Sequence, residues 1–227
     1  ALVDSQEGVY ERARRLMVEE LKALGYIVSK EVEEAMLAIP REVFVPEDQR
    51  PYAYEDRPLP IGFGQTISAP SVVARMTELL QVRKGQKVLE VGTGSGYQAS
   101  ILAWLVGEKG HVWTIERIPE LAARAKGAIE SIGLGDRVTV IVGDGSLGYP
   151  EAAPYDRVVV TAAAPRPPHS LLSQLSVNGR MVIPIGGRSG QVLTVFEKKG
   201  PDSYEEFYDL EVLFVPLVGA EGWPEGS

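Results

Sequence analysis

Val88-Leu89-Glu90-Val91-Gly92-Thr93-Gly94-Ser95-Gly96-Tyr97 reads as a short apolar strand that runs into three alternating glycines and then into a helix. Glycines let a backbone turn sharply and let a ligand approach with no Cβ in the way. In open α/β sheets, ligands sit beyond the carboxyl ends of the strands, next to the point where strand order reverses. The spacing here is G-x-G-x-G. A dinucleotide fingerprint is G-x-G-x-x-G/A, and its third small residue would fall where this chain has Tyr97. A phosphate-cradling P-loop needs Gly-Lys-Ser/Thr after the turn, and that is absent. Glu90, just before the turn, would repel a pyrophosphate but would suit a cationic ligand.

Outward from this loop, strand and helix alternate. Apolar runs recur at Lys87–Val91, Val112–Ile115, Val138–Val142, Arg157–Thr161 and Met181–Ile185. Ile118, Leu121, Ala125, Ile129 and Ile132 mark a helix between two of them, with Pro119 near its start. Nearly continuous Val/Ile runs joined by helices predict a parallel sheet covered on both faces. Gln191–Glu197 and Phe207–Val215 follow with little helix between them and predict antiparallel strands at the carboxyl end. Before the sheet, residues 9–24 and Lys30–Ile39 have helical spacing. Residues 51–70 read as irregular chain, and a helix carrying Val72, Val73, Met76, Leu79 and Leu80 comes next. Asn178-Gly179 predicts a tight turn ahead of a strand. The expected organisation is one domain over residues 1–227. In it, a helical extension and loop (1–80) pack on a doubly wound, Rossmann-like α/β core (81–227).

The composition narrows the chemistry. A chain of 227 residues, 44% hydrophobic and 24% charged, has the balance of a globular protein able to bury a full core. No cysteine is present, so disulfides, thiol nucleophiles and cysteine metal sites are excluded. With only His111 and His169, a histidine-built metal centre is not expected. The net charge of −8 and the lack of a Lys/Arg cluster argue against a nucleic-acid partner. No apolar run reaches the roughly 18 residues of a membrane span, and Ala1-Leu-Val-Asp-Ser is not a secretory leader, so a cytoplasmic location is expected.

Two further acids end the next two strands. Glu116 closes Trp113-Thr114-Ile115-Glu116, where a carboxylate can accept from both hydroxyls of a ribose. Asp144 closes Val142-Gly143-Asp144-Gly145, where it can accept from an adenine amino group. Each has a plain alternative: Asp144-Gly145 as a turn, Glu116 as a solvated strand end. Three acids on three consecutive strand ends favour a nucleoside ligand that carries positive charge and no phosphate. S-adenosylmethionine has that chemistry: an ammonium, a sulfonium and a ribose. The fold this implies is that of the S-adenosylmethionine-dependent methyltransferases.

The acceptor is less plain. Methylation of a cytosine carbon needs a cysteine nucleophile. Methylation of exocyclic nitrogens often uses Asn/Asp-Pro-Pro-Tyr/Phe after the fourth strand, where this chain has Thr161-Ala162-Ala163-Ala164-Pro165. Nor does a metal-and-base set for catechol-type transfer appear. What remains is Pro60-Ile61-Gly62-Phe63-Gly64-Gln65-Thr66-Ile67-Ser68-Ala69-Pro70, a loop of small residues with hydroxyls at Thr66 and Ser68. From the residues alone, the favoured reading is a helix N-cap, Ser68 or Ala69 before Pro70.

Several segments resemble the protein-L-isoaspartate O-methyltransferase family, and in the family's order. They are Gly64–Pro70, Leu89–Tyr97, Val142–Gly145, Ala153–Asp156, Ala162–Pro165 and Phe214–Leu217. They span about Pro58 to Leu217, and the Gly-Gln-Thr-Ile-Ser segment is specific to that family. The resemblance implies methyl transfer to the free α-carboxylate of L-isoaspartyl residues, and to D-aspartyl side chains, in damaged proteins. Repair then proceeds through a succinimide. It further implies Ser68 as the active-site hydroxyl beside the acceptor, flanked by Thr66, Ile67 and Ala69. Phe214 and Val215 would lie on a strand that pairs with the substrate backbone. Glu90, Gly92, Thr93, Gly94, Ser95, Glu116, Asp144 and Gly145 would hold the cofactor. No metal is implied; the partners would be isoaspartyl peptides and aged or unfolded proteins, and the enzyme a monomer.

Overall fold

A computed structural model describes residues 8–226. The segment Ala1-Leu-Val-Asp-Ser lies outside them. Val9–Ala23 (α1) and Lys30–Ala38 (α2) open the fold. Ser29 caps α2, its side chain accepting from Val32 N at 3.2 Å. Leu59–Gly62 (β1) and Gln65–Ile67 (β2) form an antiparallel hairpin, and Pro70–Leu80 (α3) follows. The core then alternates: Lys87–Val91 (β3), Tyr97–Val106 (α4), His111–Glu116 (β4), Pro119–Ser131 (α5) and Val138–Val142 (β5). Tyr155–Val160 (β6), His169–Gln174 (α6), Leu175–Gly187 (β7), Gly190–Gly200 (β8) and Ser203–Val212 (β9) complete it. None of the described helices is long and apolar enough to cross a membrane.

Seven strands form one sheet in the order β5-β4-β3-β6-β7-β8-β9. The first five are parallel, and β8 and β9 are antiparallel to their neighbours. The chain steps outward from β3 to β5, then crosses back to β6, so strand order reverses between β3 and β6. That is where a ligand site is expected. Period-two alternation divides the core between the faces. Val88, Val159 and Val182 pack toward α1–α5, whereas Leu89, Val91, Val158, Val160 and Met181 pack toward α6. Glu90 shares the face of Val88 and is therefore buried beneath α4, a helix apolar almost all round.

Three local expectations change. The stretch read as irregular holds the β1–β2 hairpin. Prolines at 58 and 60 hid its alternation, yet Leu59, Ile61 and Ile67 are all buried. Its tight connection needs positive φ at Gly62, Phe63 and Gly64. Asn178-Gly179 does not precede a strand. It lies within β7, in the irregular stretch between the pairings Tyr155–Leu175 and Arg157–Arg180, with Asn178 left-handed at φ 70°. Lastly, β9 ends at Val212, three residues earlier than expected. There the chain leaves the sheet edge and crosses to the end of β6. Ala163 N donates to Val215 O at 2.7 Å, and Leu217 N to Ala163 O at 2.7 Å.

Candidate active site

The loop after β3 is pinned to the end of β4. Gly92 N and Thr93 N both donate to Ile115 O, at 2.9 and 3.2 Å. Gly92 must be glycine for two reasons. Its φ is +95°, and a Cβ there would lie 2.6 Å from Thr161 Oγ1. Thr161 in turn donates to Gly92 O at 2.6 Å, so the ends of β3 and β6 clasp each other. Gly96, at φ +90°, closes the turn and lets α4 press on Ala125 and Ile129 of α5.

The two strand-end acids behave differently. Glu116 is 6% exposed, and each oxygen accepts one backbone N–H: Oε1 from Gly94 at 2.9 Å, Oε2 from Ile118 at 3.0 Å. A carboxylate has about four lone-pair sites, so each oxygen keeps one for a ligand hydroxyl. Glu90 is 0% exposed. Its Oε1 accepts from Thr114 Oγ1 at 2.6 Å, and Thr93 Oγ1 lies 2.6 Å from Thr114 Oγ1. Its Oε2 is buried without a partner. Burial pushes the Glu90 carboxyl up to about 8; Glu116 adds to the rise, and the Thr114 hydrogen bond opposes it. A buried carboxyl that borders a cleft and keeps one oxygen unmet is suited to a cation arriving there.

These acids and the loop Gln65–Ser68 line one cleft. Its floor is Glu90, Gly92, Thr93, Gly94, Ser95, Ile115 and Glu116, with Gly145 and Thr161 at the neighbouring strand ends. Its roof includes Gln65, Thr66, Ile67 and Ser68 from β2 and the joint after it, and a further wall runs from Val215 to Val218. Residues far apart in sequence thus meet over the switch point. Ala69 stands back from the cleft as the N-cap of α3, with Pro70 at the first helical position. The N-cap reading of this loop therefore holds at Ala69, while Ser68, next to it, lines the cleft.

Two further expected site residues do not line the cleft. Asp144 ends β5, but its carboxylate faces the carboxyl-terminal segment. Oδ1 accepts from Ser146 N and Oγ at 3.0 and 2.7 Å, and Oδ2 from Ala220 N at 2.8 Å. Gly145, not Asp144, lines the cleft. Phe214 packs against the core, and its N–H goes to Gln191 Oε1 at 2.8 Å, so Val215 carries the wall alone of that pair. Lining residues that sequence reasoning did not assign include Gln65, Tyr97, Gln98, Arg117, Leu217 and Val218. The wall is set by the chain that follows it. Trp223 N donates to Leu217 O at 2.7 Å, and Glu221 holds Ser170 N at 2.9 Å. Nothing local to Pro216–Val218 signals such a fold-back.

The chain also resembles known proteins as a whole. The family description Protein-L-isoaspartate(D-aspartate) O-methyltransferase matches residues 12–222. A protein-L-isoaspartate O-methyltransferase of Hyperthermus butylicus is 56% identical over 223 residues, covering 95% of this chain and 92% of that one. The one from Ignicoccus hospitalis is 56% identical over 211 residues, covering 93% and 100%. Among solved structures, a protein-L-isoaspartate O-methyltransferase superposes with TM-score 0.84 at 35% identity, covering 92% of this chain and 67% of that one. A Plasmodium falciparum structure described as a protein-L-isoaspartate O-methyltransferase in complex with S-adenosyl-L-homocysteine gives 0.81 at 27% identity, covering 90% and 98%. The chain belongs to the protein-L-isoaspartate(D-aspartate) O-methyltransferase family.

Proposed function

We propose that this protein transfers the methyl group of S-adenosylmethionine to the free α-carboxylate of L-isoaspartyl residues, and to D-aspartyl side chains, starting their repair through a succinimide. One observation carries the reading. The acceptor loop Thr66–Ser68 and the glycine loop Gly92–Ser95 face one cleft at the switch point of the sheet. When bound, S-adenosylmethionine supplies a methyl group on a sulfonium. Glu116 would accept from the ribose hydroxyls with its two spare lone pairs, and Glu90 would face the ammonium. Gly145 would border the adenine, and Asp144 would act mainly by holding the carboxyl-terminal segment against the cleft.

The acceptor needs little help. An α-carboxyl has a pKa of about 3.3–3.7, so at neutral pH it is already the nucleophile and no general base is required. Ser68 would donate a hydrogen bond that orients this carboxylate without removing a proton. Attack of an anion on a cation cancels charge, so a cleft walled by Ile67, Val215 and Leu217 favours it. Alignment supplies the rest, an effect that reaches about 7–11 kcal/mol in well-oriented systems. The chain would act as a single domain and a monomer in the cytoplasm, with no metal and no nucleic-acid partner, on peptides and unfolded or aged proteins. The repair cycle itself is the test. On prolonged incubation with S-adenosylmethionine, an isoaspartyl peptide should pass through a succinimide to a mixture containing the normal aspartyl peptide. A stable ester on some other group would contradict the reading.

A further inference from the structure

Arg41 is fully buried, far in sequence from the cleft it approaches, and touches no carboxylate through its named hydrogen bonds. Its Nε donates to Ala53 O at 2.6 Å and its Nη2 to Ser68 O at 2.9 Å. The guanidinium carbon lies 5.0 Å from the centre of the Tyr97 ring. Tyr97 lines the cofactor side of the cleft as the first residue of α4. Arg41 Nη1 and the Tyr97 hydroxyl are both buried with no close hydrogen-bond partner, and their side chains interact with each other. Burying a charged group this way is costly, so its position is set by more than its own satisfaction.

That position is firmly held. Arg41 N donates to the Tyr54 hydroxyl at 3.1 Å. The same oxygen accepts from Arg14 Nε at 2.7 Å and donates to Glu42, which pairs with Arg14 at 3.2 Å. Arg14 belongs to α1, so the helical extension reaches Ser68 through a continuous chain of bonds. Ser68 needs such a hold. It sits between the end of β2 at Ile67 and the α3 N-cap Ala69, where the Ser68 carbonyl lies outside both ladder and helix. In α3 it is Ala69 O that accepts the first helical bonds, from Val72 N and Val73 N.

We propose that Arg41 is a positioning residue for methyl transfer: it fixes the Ser68 peptide through its carbonyl and, by stacking on Tyr97, sets the acceptor loop against the cofactor loop. This rests on the acceptor role given to Ser68 above. Lysine keeps the charge but lacks the planar fork that serves two carbonyls and a ring at once. The cofactor loop keeps its own bonds to Ile115 and Glu116, so losing Arg41 should affect methyl transfer far more than cofactor affinity.

The test compares wild type, R41K and R41Q in steady-state methylation of an isoaspartyl peptide, with S-adenosylhomocysteine affinity by calorimetry. R41K should lower kcat about tenfold and R41Q further, to about 100-fold, the scale of losing one charge-assisted hydrogen bond. S-adenosylhomocysteine affinity should stay within about twofold in each soluble variant, as expected when the cofactor loop's own hydrogen bonds are intact. If R41Q does not fold, R41K alone decides. Unchanged kcat in R41K, or an equal fall in kcat and S-adenosylhomocysteine affinity, would overturn the assignment. A wild type inactive on the peptide would instead overturn the function proposed above.

Discussion

The cleft has two halves, built by different means. The half assigned above to the cofactor is made mostly of backbone. Gly92, Gly94 and Gly96 at positive φ, hydrogen bonds to Ile115 O and a carboxylate at each of two strand ends shape it within thirty residues of chain. The acceptor half is made of distant pieces: a hairpin before the core, a wall at Val215–Val218 after it, and Arg41 beneath. The difference teaches where each half is vulnerable. Backbone geometry fails at a single glycine, whereas an assembled half fails by losing alignment while its cofactor still binds.

The largest effect should come from Gly92→Ala. An L side chain at left-handed φ costs about 1–2 kcal/mol, and the new Cβ would lie 2.6 Å from Thr161 Oγ1. S-adenosylhomocysteine affinity, measured by calorimetry, should fall at least about 100-fold. Next is Glu116→Gln. It keeps the shape but weakens bonds to the ribose and to Gly94 N, and should cost about 10- to 50-fold in the same measurement. Both variants, if they bind normally, break the claim that this half is built as described.

Ser68→Ala tests the other half. Turnover should fall about 10- to 30-fold, the scale of one hydrogen bond to a charged group, with S-adenosylhomocysteine affinity unchanged. Equal loss in both would erase the distinction between the halves.

That distinction also explains what could be read in advance. The glycine spacing, Glu90 before the turn and the strand–helix alternation were legible because each obeys a local rule. The parallel core and its antiparallel end appeared as expected. Glu116 ends β4 and lines the cleft because β4 and β3 are adjacent in chain and sheet. Asp144 does not line the cleft: its carboxylate bonds Ser146 and, from the carboxyl-terminal segment 76 residues away, Ala220 N. The β1–β2 hairpin escaped detection because Pro58 and Pro60 interrupt its alternation. Arg41 escaped because nothing near it in sequence reports that Ser68 lies above it. For the loop Gln65–Ser68, the residues favoured the cap reading, and only family resemblance favoured the site.

The smallest expected effect concerns pH. Burial holds the Glu90 proton up to a pH of about 8, while in the unfolded chain it leaves near the ordinary carboxyl value of about 4.3. Between these the folded state binds more protons than the unfolded state, so this group's contribution to stability falls as pH rises toward 8 and then levels off. A cationic ligand favours the carboxylate. S-adenosylhomocysteine, whose ammonium would face Glu90, should therefore bind more tightly from pH 6 to about 8 and release protons as it does so. Calorimetry in buffers of different ionisation enthalpy reads that release, and Glu90→Gln should abolish it. Persistence of the release in that variant would assign the proton elsewhere.

The proposed function is tested most directly by one comparison of initial rates: labelled methyl transfer from S-adenosylmethionine to a short isoaspartyl peptide and to its normal L-aspartyl twin. It predicts rapid, saturable labelling of the isoaspartyl peptide and none of the twin above background. Equal labelling of the two, or labelling of neither, would contradict it.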